Sequence, residues 1–229
     1  FISSHGFTII RNNREAIFPK EIDIWIPDHR LGIEYHGNYF HTEQRVGQNH
    51  HSDKADLADK NELKLIQIFE NEWRDKKEIV KSRLLSHLGI NKKIYARKTR
   101  VVELSSHEKN EFLHRTHIQS KDASLIHLGL MDSTQLVACM TFGKPRFNKK
   151  YDYELIRYSS ELGVNIIGGA GKLLAHFRKK NPGSIVSYAD RRWSTGNLYK
   201  TLGFVKEKTT KPGYRYYHSN KKELFNRLQ

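Results

Sequence analysis

The stretch EIDIWIPDHRLGIEYHG, residues Glu21 to Gly37, decides how the first part of this chain is read. Ile22, Ile24 and Ile26 alternate with Glu21, Asp23 and Trp25, and Pro27 ends the run. Period-two alternation with such a stop predicts a strand. Asp28-His29-Arg30 suits a tight turn, and Leu31–Gly37 continues as a second strand, so the pair forms a hairpin. Antiparallel neighbours across a short turn bring Asp23 and Glu34 to one face, and His36, two residues on, shares the face of Glu34. Two carboxylates are hard oxygen ligands of the kind magnesium takes. A histidine beside them exchanges protons near neutral pH. Such a set of two acids and a base suits phosphodiester hydrolysis, and His41 follows five residues after His36. The competing arrangement is a structural zinc site made of His36, His41 and His51, since histidine suits zinc and four-coordinate sites need few residues. His50, Asp53 and Asp56 form either an auxiliary cluster or the start of a solvated helix.

Working outward, residues 52–63 read as a helix, Leu63–Phe69 as a short third strand, and 71–89 as a helix. In that helix Ile79, Val80, Leu84 and Leu88 recur at helical spacing and Gly89 supplies the stop. Strand, strand, helix, strand, helix suits a small α/β nuclease core. Residues 90–98 read as a connector, and the expected division is into domains 1–92 and 93–229. The second part starts again with a strand at 99–105 and a helix capped by Ser106. Strands follow at 124–131, 134–143 and 151–159, then a glycine turn running into a helix over 168–183. A strand at 184–190, a short helix at 195–203 and a final strand pair at 204–208 and 213–219 complete it.

The 229 residues carry 40 Lys+Arg against 25 Asp+Glu, a net charge of +15. Residues 1–92 hold 14 basic and 14 acidic side chains, so the whole excess belongs to the second part. A field of that sign favours a polyanion, above all nucleic acid. One cysteine, Cys139, excludes an internal disulfide framework and a Cys-based zinc finger, and its place on a strand marks it as buried and inert. An intracellular, reducing home is the expectation. No run approaches the ~18 apolar residues of a membrane span, and no signal peptide is visible. The chain begins at Phe1 rather than Met, so an upstream segment is expected.

Asp23, then Glu34-x-His36, resembles the pattern of the PD-(D/E)xK nuclease superfamily, with His36 where lysine is usual. YHGNYFH, Tyr35 to His41, resembles the HGCFWH element of very-short-patch repair endonucleases, and LIQIFENEW their later strand with its Trp-Glu ending. The nearest resemblance is to the EDxHD-type phage homing endonucleases, over residues 1 to about 90. It implies a restriction-endonuclease-like α/β domain with Asp23 and Glu34 on magnesium, and with His36, His41 and His51 as further catalytic groups. The family's glutamate on an N-terminal helix would lie upstream of Phe1. The resemblance also implies a phage-encoded protein acting in the cytoplasm of a bacterial host.

NIIGGAGKLL, Asn165 to Leu174, followed by GNLYKTLGF, resembles the acyl-CoA-binding loop and late tyrosine helix of GNAT-type acetyltransferases. SYADRRWSTGNLYKTLGF, Ser187 to Phe204, is similar to phage Mom-type DNA-modification proteins. This resemblance spans about Arg97 to His218. It implies a GNAT-like mixed α/β domain, with Gly168, Gly169, Ala170, Gly171 and Tyr199 as candidate acetyl-CoA contacts and Asp190 as a candidate catalytic group. Arg191, Arg192 and Trp193 make a basic–aromatic cluster suited to phosphate and base. The expected protein is a two-domain α/β magnesium-dependent endonuclease acting on double-stranded DNA, of homing or mobile-element type. The alternatives are an acyl-CoA-dependent modifier of DNA or protein and a DNA-binding protein with an inactive nuclease fold.

Overall fold

The computed structural model describes residues 1–37, 50–210, 216–218 and 223–225. The fold is mixed α/β, with several sheets and helices. The chain divides into two compact units: Phe1–Asp75 with Asp190–Lys200 and Val205–Gln229, and Lys76–Ala189 with Thr201–Phe204.

In the first unit, β1 (Ile10–Ile17), β2 (Lys20–Ile26), β3 (Leu31–His36) and β4 (Lys64–Phe69) lie side by side in that order. β1–β2 and β2–β3 are antiparallel, as the hairpin alternation predicts, whereas β3 and β4 are parallel. Parallel neighbours need a crossover. Helix α1 (His50–Lys60) lies in that crossover and packs Ala58 against Ile17, Ile22, Leu63 and Leu65. Gly32 belongs to this packing: a Cβ there would meet Leu65 Cδ1 at 2.9 Å and Ile22 Cδ1 at 3.1 Å. β1 was not foreseen, because IRNNREAI is mostly exposed and lacks an apolar alternation.

The helix expected over 71–89 is two helices, α2 (Glu70–Asp75) and α3 (Lys77–His87), broken at Lys76 with φ −133° and ψ 30°. The break is also where the first unit ends. α3 belongs to the second unit, where Ser82 Oγ accepts from Gly163 N at 2.8 Å and Ser86 Oγ donates to Asn165 Oδ1 at 2.9 Å. The unit boundary therefore precedes residue 92.

The second unit continues with β5 (Lys92–Tyr95), β6 (Arg100–Glu103), α4 (Ser106–Thr116), β7 (Ile126–Asp132), β8 (Gln135–Gly143), β9 (Tyr153–Ser160), β10 (Val164–Ile167), α5 (Gly169–Lys180) and β11 (Ile185–Ser187). Five strands form one sheet in the order β11-β9-β8-β7-β6, antiparallel except for β11 beside β9. The segment read as a connector is a strand, since β5 pairs with β10 in parallel. α5 buries Leu173, Leu174 and Phe177 in the core that holds Leu128, Met140 and Phe142, and the Phe142 and Phe177 rings stack at 3.6 Å. α4 packs Phe112 and Leu113 against Cys139, whose thiol burial pushes up to about 12. Ser105, not Ser106, caps α4: its Oγ accepts from Glu108 N, and Glu108 Oε2 accepts from Ser105 N at 2.8 Å.

A short helix α6 (Asn197–Thr201) and a two-stranded pair, β12 (Tyr216–His218) with β13 (Glu223–Phe225), complete the described elements. Residues 204–208, expected as a strand, are irregular.

Candidate active site

The antiparallel ladder between β2 and β3 runs through Ile26↔Leu31, Trp25↔Gly32 and Ile24↔Ile33. Beyond that point side chains replace the backbone pairing. Asp23 N donates to Glu34 Oε1 at 3.2 Å, and Tyr35 N donates to Asp23 Oδ2 at 2.8 Å. Each carboxylate thus satisfies an amide of the opposite strand, and the two acids are tied together where the hairpin opens.

Glu34 is only 4% exposed, and Lys54 Nζ from α1 lies 2.5 Å from its Oε2. Burial raises the Glu34 pKa above its ordinary 4.5; Lys54 opposes that rise and Asp23 adds to it. Lys54 is the cation of the site, and the sequence did not single it out. Its signal was present: Lys54, Leu57 and Ala58 share one face of α1, and Ala58 is buried.

The parallel register sets Glu34 opposite Gln67 and His36 opposite Phe69. His36 is 2% exposed; its Nε2 lies 3.2 Å from Gln67 Oε1, and its ring is 5.3 Å from that of Phe69. The contact with Gln67 orients the imidazole beside Phe69. The structure therefore ties Asp23 to Glu34, adds Lys54 to that pair, and pairs His36 with Gln67. His41 and the side chains of His50 and His51 lie outside the described residues.

Arg191, Arg192 and Trp193 were expected on a separate basic domain. All three belong to the first unit, and the two arginines engage its carboxylates. Arg191 bridges Asp56 Oδ1 at 2.6 Å and Asp59 Oδ2 at 2.9 Å. Arg192 meets Glu72 Oε1 at 2.9 Å and Asp190 Oδ2 at 2.7 Å, and its guanidinium sits 5.1 Å from the Phe69 ring. Burial disfavours the Arg192 charge, yet Asp190 and Glu72 outweigh it and hold its pKa above the ordinary value. The Arg192 carbonyl accepts from Gln67 N at 3.3 Å, which covers the outer edge of β4. Trp193 is 2% exposed and belongs to the interior. Arg192→Ala leaves Glu72 without its cation. It is expected to destabilise the first unit by about 2 kcal/mol in urea unfolding, below the ~3–5 of a fully buried pair because the guanidinium keeps some solvent contact.

In the second unit the glycine turn starts α5, with Gly168 at φ +79°. A Cβ at Gly169 would meet Ile166 Cγ2 at 2.7 Å and Tyr158 Oη at 2.9 Å. The Ala170 amide donates to the Tyr158 hydroxyl, whose pKa burial pushes up to about 12. Gly171 has room, with Leu202 Cδ2 at 3.8 Å. The left-handed backbone accounts for Gly168 and close packing for Gly169. Tyr199 and Asp190 lie in the first unit, Tyr199 on α6.

Among the described residues no group of three or more His, Cys, Asp or Glu side chains is gathered to hold a metal, and no helix is long and apolar enough to cross a membrane. No family model matches the chain, and no curated protein or solved structure matches it.

Proposed function

We propose that the first unit is a magnesium-dependent DNA endonuclease of the PD-(D/E)xK kind, of homing or mobile-element type. The GNAT-like second unit supplies affinity for DNA. One observation carries the reading: Asp23 and Glu34 meet where the β2–β3 ladder opens, and the Lys54 ammonium is 2.5 Å from Glu34. Two linked carboxylates fit magnesium, which binds through one or two carboxylates and takes its other oxygens from water and substrate phosphate. When bound, the ion supplies Lewis acidity toward the phosphodiester. Asp23 and Glu34 would hold it, and each is oriented by its bond to the opposite strand. Lys54 offsets the charge on Glu34 and opposes the rise that burial imposes on its pKa. His36, oriented by Gln67, would exchange a proton with the attacking water or the leaving oxygen. The zinc alternative rests on His41 and His51, whose side chains lie outside the described residues.

The charge distribution supports the division of labour. The second unit carries 21 Lys and Arg against 9 Asp and Glu, a net of +12, which leaves +3 for the first. The test is supercoiled plasmid incubated with the full chain in magnesium or in EDTA. Nicked or linear product is expected in magnesium alone, and His36→Ala slows its formation about 100-fold, the scale of a general acid–base group. Intact plasmid in both buffers removes the reading. Loss of thermal stability on chelation, with a parallel loss in His36→Ala, assigns the histidine to structural zinc instead.

A further inference from the structure

We propose that the loop between β8 and β9, residues 144–152, is a nucleic-acid contact that stacks an unpaired base on Phe147 while neighbouring cations hold the phosphates. The Phe147 side chain is 76% exposed. Isolated exposed aromatics are ordinary, but this one has company. The Tyr188 ring, itself 38% exposed, meets it edge-on at 5.5 Å, and the Arg146 guanidinium lies 5.6 Å from its centroid. Lys144, Lys149 and Lys150 are exposed on the same short loop, and Lys150 Nζ lies 5.0 Å from the Tyr151 ring. Aromatic faces interleaved with cations are what binds a single strand, because every base has a π-face and every linkage a charge.

The loop is held at its base. Pro145 is buried, and its carbonyl accepts from Lys149 Nζ, a contact that leaves the ammonium charge intact. Arg146 donates through N at 2.8 Å and Nε at 2.9 Å to Glu154, which is fully buried. Asp152 Oδ2 accepts from Ser184 N at 2.7 Å and Ser184 Oγ at 2.8 Å. Both carboxylates near the loop are thus used internally, and Phe147 is displayed from a fixed platform, which lowers the ordering cost of binding. The unit's net charge of +12 supplies the long-range attraction. An acidic protein would meet the lysines but gives Phe147 no base to stack on.

The proposal extends the reading of DNA as partner, but binding here needs neither Asp23 nor a metal. It is tested on the full chain in EDTA by fluorescence anisotropy, with a labelled single-stranded 12-mer and the same strand carrying abasic sites. The intact strand is expected to bind about 10-fold more tightly than the abasic one. Phe147→Ala erases that preference and leaves the abasic affinity unchanged. Lys144→Ala weakens both and lowers the log–log salt slope by about 0.7. Equal binding of both strands by the unsubstituted protein, or an unchanged preference in Phe147→Ala, overturns the proposal. An intact base preference beside an uncut plasmid leaves this site standing and removes the nuclease reading alone.

Discussion

Asp23→Ala abolishes plasmid cleavage, slowing it at least ~1,000-fold, while affinity for DNA survives. On the proposed reading, removing this magnesium ligand forfeits stabilisation on the order of 4 kcal/mol, which corresponds to that factor. Asp23 also accepts from Tyr35 N across the open end of the hairpin, so the truncation leaves an amide unpaired. Tyr35 is exposed, so the loss is about 1 kcal/mol of stability, the net worth of one hydrogen bond, and it confounds the alanine variant. Asp23→Asn separates the two effects, because the amide oxygen still accepts from Tyr35 N while the charge is gone. Melting temperature near that of the unsubstituted protein with cleavage lost is the expected pair of results. Full cleavage by Asp23→Asn removes Asp23 from the active site.

Lys54→Met produces a change that depends on pH. It strands Glu34, whose side chain is 5% exposed, and costs about 3 kcal/mol near neutral pH, the scale of breaking a buried pair. Burial already holds the Glu34 pKa above 4.5 against the opposing pull of Lys54. Without that pull it rises further. A carboxyl whose pKa is raised by folding contributes stability that is fully present below its unfolded value and lost as pH rises through the folded value. The stability gap between variant and unsubstituted protein is therefore smallest near pH 4.5 and widens as the pH climbs through the raised pKa of Glu34. The acid limb of the cleavage profile moves the same way, to higher pH. Urea unfolding across pH 4.5–8 reads the first effect and initial cleavage rates the second. A gap independent of pH shows that Glu34 is not the group Lys54 serves.

The hairpin was legible because period-two alternation and a proline stop act within a few residues, and its register then brought Asp23 and Glu34 together. Gln67 and Glu72 were not legible, because their roles depend on how β4 docks beside β3 and on a segment that arrives from Asp190 onward. Lys54 lay between the two cases: its helical face was readable, but nothing local shows that the face covers Glu34. The carboxylate contacts of Arg191 and Arg192 were not legible for a physical reason. A basic–aromatic run reads the same whether its partners are phosphates or carboxylates, and here Asp56, Asp59, Glu72 and Asp190 are the partners. The helix over 71–89 was continuous by apolar spacing alone, and the backbone at Lys76 carries the break that spacing does not encode.

The return of residues 190–200 to the first unit has a consequence for synthesis. About 114 residues separate Asp75 from Asp190, and at roughly 5–20 residues per second a ribosome takes about 6–23 s to add them. For that interval the outer rim of β4 is open and Glu72 has no guanidinium. The second unit is meanwhile almost fully translated, so it is the first to have nearly all its parts, although it begins later in the chain. A stop codon near residue 92 releases a nascent sheet without its closing strap, a species suited to chaperone capture rather than to assay.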